Sequence, residues 1–128
     1  SAWRPLHHEV KDAPLAFCDY FSTNDNDLVA ADRVSEQYEG EIYYLKHSKM
    51  LTWYWIRDQT PDELAIFTSW DSDPKDGAAC KYFLHGVREM NNRFSGCPHC
   101  SFIDEAAAHK GLPHESVEVR TVVLNRKL

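Results

Sequence analysis

The sequence predicts a mainly β fold, a β-sandwich or jelly roll with one inserted α-helix. Three features carry that expectation. Short apolar runs rich in Tyr, Trp, Ile and Val are separated by polar turns; one stretch alone shifts to a helical period; and no repeat, low-complexity tract or linker divides residues 1–128, which therefore read as a single domain.

The first run opens at Ser1-Ala2-Trp3-Arg4-Pro5, a strand-like start without the pattern of a signal peptide. Pro14 to Tyr20 is almost wholly apolar, as a strand buried on both faces would be. The polar cluster Ser22 to Asp27 is a turn able to cap a short helical segment from Leu28 to about Gln37. Glu41 to His47 and Leu51 to Arg57 are the clearest strands. In the second, Leu51, Trp53 and Trp55 share one face while Tyr54 and Ile56 share the other. Asp58 to Pro61 is a turn, and Glu63 to Trp70 reads as another buried strand.

Beyond the loop from Asp71 to Ala79 the period changes. Phe83, Val87, Met90 and Phe94 fall on one helical face, and Gly96-Cys97-Pro98 ends the segment. This insertion, about 75–97, is expected to pack over the open end or edge of the sheet and to bring His85 near His99. Glu115 to Leu124 is the last strand, with Val117, Val119, Thr121 and Val123 on one face. About six strands fall short of the roughly eight that close a jelly roll. An edge is left to be covered by a second copy, giving a homodimer, or by a partner chain that completes the barrel.

A net charge of -6 with no long basic run argues against nucleic acid as a partner. No stretch approaches the roughly 18 consecutive apolar residues of a membrane span. The four Cys lack the dense spacing of a small secreted scaffold, so a cytoplasmic protein is expected. Cys97-Pro98-His99-Cys100 has a C-x2-C spacing that Cys80 and His85 could extend to four zinc ligands. A Cys80–Cys97 disulfide and ordinary free thiols are the competing readings, and Cys18 belongs to the core.

Several short motifs occur in a fixed order across nearly the whole chain. They are Trp3-Arg4-Pro5, Pro14-Leu15-Ala16-Phe17-Cys18-Asp19, Trp53-Tyr54-Trp55, Thr60-Pro61-Asp62-Glu63, Trp70-Asp71-Ser72, Pro98-His99-Cys100-Ser101-Phe102 and Pro113-His114-Glu115-Ser116-Val117-Glu118-Val119-Arg120. In this order they resemble the carboxy-terminal half of a hydroxylase/desaturase family. That family includes fungal tailoring oxygenases of secondary metabolism and the hydroxylase component of cephamycin methoxylation.

The resemblance implies a double-stranded β-helix, seen here as a jelly-roll half-barrel. It also implies Fe(II) held by two His and one carboxylate, with open positions for 2-oxoglutarate and oxygen. By the same resemblance His99 is the distal iron ligand. The proximal His-x-Asp or His-x-Glu pair belongs upstream of Trp3 and has no counterpart; His7 and Glu9 have the spacing but follow that strand, and read either as a substitute or as a polar strand end. The family's Arg-x-Ser cosubstrate clamp falls on His114 and Ser116. Arg120, six residues on, shares a strand face with His114 and either reaches the same pocket or is a surface arginine paired with Glu118.

Trp53, Trp55 and Tyr44 read as core packing or as the wall of a pocket for a small organic substrate. Two functions follow. The first is Fe(II)/2-oxoglutarate-dependent tailoring by an enzyme whose iron and cosubstrate motifs are incomplete in this chain. The second is a redox-inactive, shortened relative with no cofactor, acting as an isomerase, a cyclase or a small-molecule-binding dimer.

Overall fold

The computed structural model describes residues 1–71, 96–106 and 113–124. Among these are eight strands: β1 (Ala2–Pro5), β2 (Leu15–Cys18), β3 (Leu28–Ser35), β4 (Tyr38–Leu45), β5 (Trp53–Trp55), β6 (Ala65–Ile66), β7 (His99–Ser101) and β8 (Ser116–Val119). They form one antiparallel sheet of order β6-β1-β8, a second of order β5-β2-β7, and the separate hairpin β3-β4. The fold is mainly β, as expected. Its pairing is nested: the first strand lies beside the last, and the second beside the last but one.

Side chains from both three-stranded sheets meet in a common core. Trp3, Val10, Ala65, Phe67 and Cys97 are buried together, with Leu15 and Phe17 packed against them. Local chemistry sets the joints. Asp19 caps a single 3-10 turn by accepting from the Phe21 N–H at 3.0 Å, and Thr23 Oγ1 donates to the Tyr20 carbonyl at 2.6 Å. At the next bend the Glu63 carboxylate takes the Thr60 N–H at 2.8 Å, while the buried Gln59 amide donates to the Glu63 carbonyl at 3.0 Å. Asp58 enters that bend at a φ of 49°, a left-handed conformation that Asp tolerates better than most residues.

Several sequence expectations need correction. Leu28 to Gln37 is not helical: Leu28–Ser35 is β3, paired residue for residue with Tyr38–Leu45 across a two-residue turn. Ladder bonds to the Tyr- and Ile-rich partner outweigh the helical preference of Ala30 and Ala31. The strand expected over Glu63 to Trp70 contracts to Ala65–Ile66, with Ala65 and Phe67 buried but Leu64 and Ile66 exposed. The last strand stops at Val119; Val122, Val123 and Leu124 stand in solvent. β7 was not anticipated. The inserted helix at about 75–97, with Phe83, His85, Val87, Met90 and Phe94, lies outside the described residues apart from its end at Gly96-Cys97. No helix among the described residues is long and apolar enough to cross a membrane.

Candidate functional site

Register decides which side chains face the space between the two sheets, because cross-strand partners share a face. Phe17 of β2 lies opposite both Tyr54 and His99, and Phe17 belongs to the core side. His99 is therefore turned toward the core. Its ring lies 4.5 Å from that of Phe67 and 6.4 Å from that of Phe17. Its Nδ1 is 2.7 Å from the Cys97 carbonyl oxygen. A carbonyl only accepts, so Nδ1 carries the proton and a neutral ring presents a lone pair at Nε2. That is the tautomer a metal-binding imidazole needs, and the carbonyl is the kind of partner that holds such a ring in place.

Facing it is β8. Trp3 lies opposite Glu118 and Pro5 opposite Ser116, so these two residues point to the core side, and alternation puts His114 there too. The edge of the His114 ring meets Trp3 at 6.1 Å between centroids. The valines point the other way: Val117 and Val119 lie opposite Arg4 and Ala2, and with Ile66 they make an exposed apolar row on the outer face. The inward row of the last strand is thus polar.

Glu118 is the junction of that row. Its Oε1 accepts from Ser1 Oγ at 2.8 Å and from Arg120 Nε at 3.0 Å, and Ser1 Oγ also lies 2.7 Å from Ser69 Oγ. Burial alone would raise the Glu118 carboxyl. The hydrogen bonds from Arg120 and Ser1, then the charges of Arg120 and His99, outweigh it and hold the group below the usual range. Glu118 is therefore held as a carboxylate on the inward row of β8.

His114 is fixed by Asp12. Its Nδ1 lies 2.8 Å from Asp12 Oδ1, and its backbone N–H donates to Oδ2 at 3.3 Å. Burial pushes the Asp12 carboxyl up, but hydrogen bonds from the His114 ring and nearby backbone N–H groups prevail and hold it low.

The other sequence-selected residues are dispersed. His7 Nε2 lies 3.1 Å from Glu115 and Glu9 pairs with Lys11, both at the surface. Trp53 and Trp55 lie opposite Cys18 and Ala16, on the face of their sheet away from His99. Trp55 stacks edge-on against Phe102 at 5.2 Å and lines an open hollow of about 290 Å³ with Lys11, Arg57, Asp58 and Asp104. Tyr44 is on the exposed hairpin, so the three aromatics do not share a wall. Arg120 is largely exposed and reaches back to Glu118, while His114 is tied to Asp12. Cys97 is disulfide-bonded, which removes it as a thiolate and with it the zinc reading of Cys97 and Cys100. Cys18 and Cys100 are free, and burial raises both thiols; Cys80 and His85 lie outside the described residues. Among the described residues no three His, Cys, Asp or Glu are grouped to hold a metal ion.

Sequence reasoning missed Asp12 and Glu118 as members of this face. Glu118 was within reach, since it alternates with His114 and Ser116 along one strand.

Known proteins agree with the motif order. Residues 1–124 match the family model described as an oxidoreductase/YMDC permease-like domain. The gibberellin cluster GA4 desaturase of Gibberella fujikuroi is 33% identical over 107 residues, covering 74% of this chain and 31% of the relative. The chain belongs to the hydroxylase/desaturase family. Other members are an alpha-ketoglutarate-dependent dioxygenase of Talaromyces stipitatus, 31% identical over 97% of this chain and 39% of the relative, and an Fe(II)/2-oxoglutarate-dependent dioxygenase of Aspergillus novofumigatus, 28% identical over 96% and 39%. The chain spans less than half the length of these relatives. No solved structure matches it.

Proposed function

We propose that this chain forms the carboxy-terminal part of an Fe(II)/2-oxoglutarate-dependent hydroxylase or desaturase that tailors a small organic substrate of secondary metabolism. The observation that carries this reading is the His99 imidazole. It is turned to the inter-sheet space with Nδ1–H committed to the Cys97 carbonyl and Nε2 free to bind a metal. Bound there, Fe(II) would supply the oxidising chemistry with 2-oxoglutarate and oxygen.

The chain's own residues supply one ligand, an apolar wall from Phe17 and Phe67, and the ordered Glu118 carboxylate on the inward row of β8. The two remaining ligands come from elsewhere in the active assembly. Nested pairing of β1 with β8 and β2 with β7 supports a jelly-roll half-barrel, whose exposed Ile66, Val117 and Val119 row would be covered by a second copy or a partner chain. The cofactor-free alternative finds no support in the relatives, which are named as dioxygenases and desaturases.

Anaerobic NMR titration with Fe(II) tests the reading, since paramagnetic broadening reports even weak binding. Ring signals of His99 should broaden first, and His99→Ala should abolish the effect. Broadening centred on His7, or unchanged in His99→Ala, would overturn it.

A further inference from the structure

The hollow beside Trp55, about 290 Å³, is lined by Lys11, Pro14, Arg57, Asp58 and Asp104 among others. Register separates it from the proposed iron ligand. Trp55 lies opposite Ala16, whereas Phe17 and His99 alternate to the other face of the sheet. Position along the strands separates it again. Pro14 precedes β2, Arg57 follows β5 and Asp104 follows β7, while His99 begins β7. Antiparallel pairing therefore gathers these three residues at one end of the sheet and sets His99 toward the other.

The walls of the hollow are fixed. The Val10 N–H donates to the Gln59 carbonyl at 2.9 Å, the Phe102 N–H to the Pro14 carbonyl at 3.3 Å and the Asp104 N–H to the Asp12 carbonyl at 3.1 Å, which ties three connections together around it. Trp55 is 49% exposed and is held edge-on by Phe102. Lys11 is taken by Glu9. Arg57 and Asp58, neighbours of opposite charge, are not: neither side chain makes a hydrogen bond or an ion pair with a described residue. Asp104 accepts from the Ala106 N–H through Oδ1 at 3.0 Å, which leaves Oδ2. Asp58 also sits at a φ of 49°, a conformation that glycine takes without strain. A turn alone would be served better by glycine, so the carboxylate there needs another reason.

The mixture of charges selects the ligand. An anion alone would meet Asp58 and Asp104, and a cation alone would meet Arg57. A molecule that carries both charges satisfies both, and the face of the Trp55 indole receives an apolar ring. The volume, just below the roughly 300 Å³ at which small-molecule pockets begin, admits one small compound. We propose that this hollow is a second ligand site, for a small aromatic zwitterion such as an aromatic α-amino acid. Arg57 receives its carboxylate, Asp58 and Asp104 its ammonium group, and Trp55 its ring. The site uses no metal and none of the residues around His99.

L-Phenylalanine is the probe. Titrated without metal into the 128-residue protein and followed by NMR, it should bind saturably at millimolar concentration and shift the indole N–H signal of Trp55. Phenylpropionate lacks the amine and phenethylamine lacks the carboxylate. Each should bind about tenfold or more weakly, the loss expected for a charge-assisted hydrogen bond. Arg57→Gln should weaken phenylalanine binding by a similar factor. Asp58→Gly should also weaken it while staying folded, because glycine relaxes the left-handed backbone. His99→Ala should bind phenylalanine as the parent does. Absence of binding, or binding that leaves the Trp55 signal unmoved, overturns the proposal, and so does equal affinity for the three compounds. A folded Arg57→Gln or Asp58→Gly protein that binds as the parent does overturns it too; if Arg57→Gln fails to fold, the three compounds and Asp58→Gly decide. Binding lost in a folded His99→Ala protein would put the ligand between the sheets and sink the proposal as well.

Discussion

The hairpin β3-β4 and the paired sheets around His99 divide regularity from function. The hairpin holds the two longest strands, eight residues each in continuous register; none of their residues is buried and most are exposed, including Val34, Tyr38, Tyr43 and Tyr44. The strands that carry His99 and Ser116 are three and four residues long. They are aligned by partners far away in sequence, and their inward residues are packed or hydrogen-bonded. A long ladder needs only a local turn and good β-formers. Holding an imidazole against two packed phenyl rings and a carbonyl needs two sheets and a filled core between them.

If the short strands depend on that core, damage there should be severe. Phe67 is 4% exposed and its ring lies 5.1 Å from Phe17 and 4.5 Å from His99. Phe67→Ala removes a packed ring where the walls can only partly collapse, at a cost of about 3–5 kcal/mol. Urea unfolding should show that loss with an unchanged slope. A loss below about 1 kcal/mol would mean that the sheets do not share a core.

A smaller effect should appear with acid. Asp12 and Glu118 are both held below the usual carboxylate range in the folded chain. A depressed folded pKa means that the unfolded state binds protons first, so the stabilisation is complete above the ordinary value of about 4 and is lost as pH falls through the folded values. Stability measured from pH 6 to 2 should therefore fall on the acid side. Asp12→Asn and Glu118→Gln should each be less stable than the parent at pH 6 and flatten the slope. A parent profile already flat below pH 4 would contradict both assignments.

The same division explains what could be read in advance. The face pattern of Trp53, Tyr54 and Trp55 is correct, because alternation within a strand is local. Which face meets the core is not local: Tyr54 sides with Phe17 and His99, and the tryptophans point away. The valines of the last strand mark a real face, but the outer one, since Trp3 opposite Glu118 turns the polar row inward. β7 has too few residues to show a period, and it exists because β2 offers an edge. The Asp12–His114 pair spans 102 positions, and nothing near Asp12 in the sequence announces it. His99 was legible through its motif. Its tautomer was not, because that depends on the Cys97 carbonyl.

The smallest effect should come from the hairpin. Tyr44 shares a face with Val29, Ala31 and Ile42, yet it is 60% exposed, and the hairpin is tied at its base, where the Lys46 backbone N–H donates to the Asp27 carbonyl and Lys46 Nζ to the Asn26 carbonyl. Tyr44→Ser should then change the unfolding free energy of the isolated chain by no more than about 0.5 kcal/mol, as for surface positions generally. An isolated two-stranded ribbon with an apolar face is marginal in water, so a second copy or partner chain has a reason to cover it. In that case the same substitution should act on association instead. Sedimentation equilibrium should show the parent self-associating at micromolar concentration and Tyr44→Ser doing so less. A loss of several kcal/mol at a dilution where the parent is monomeric would show the hairpin packed within its own chain, and the contrast with the His99 region would fail.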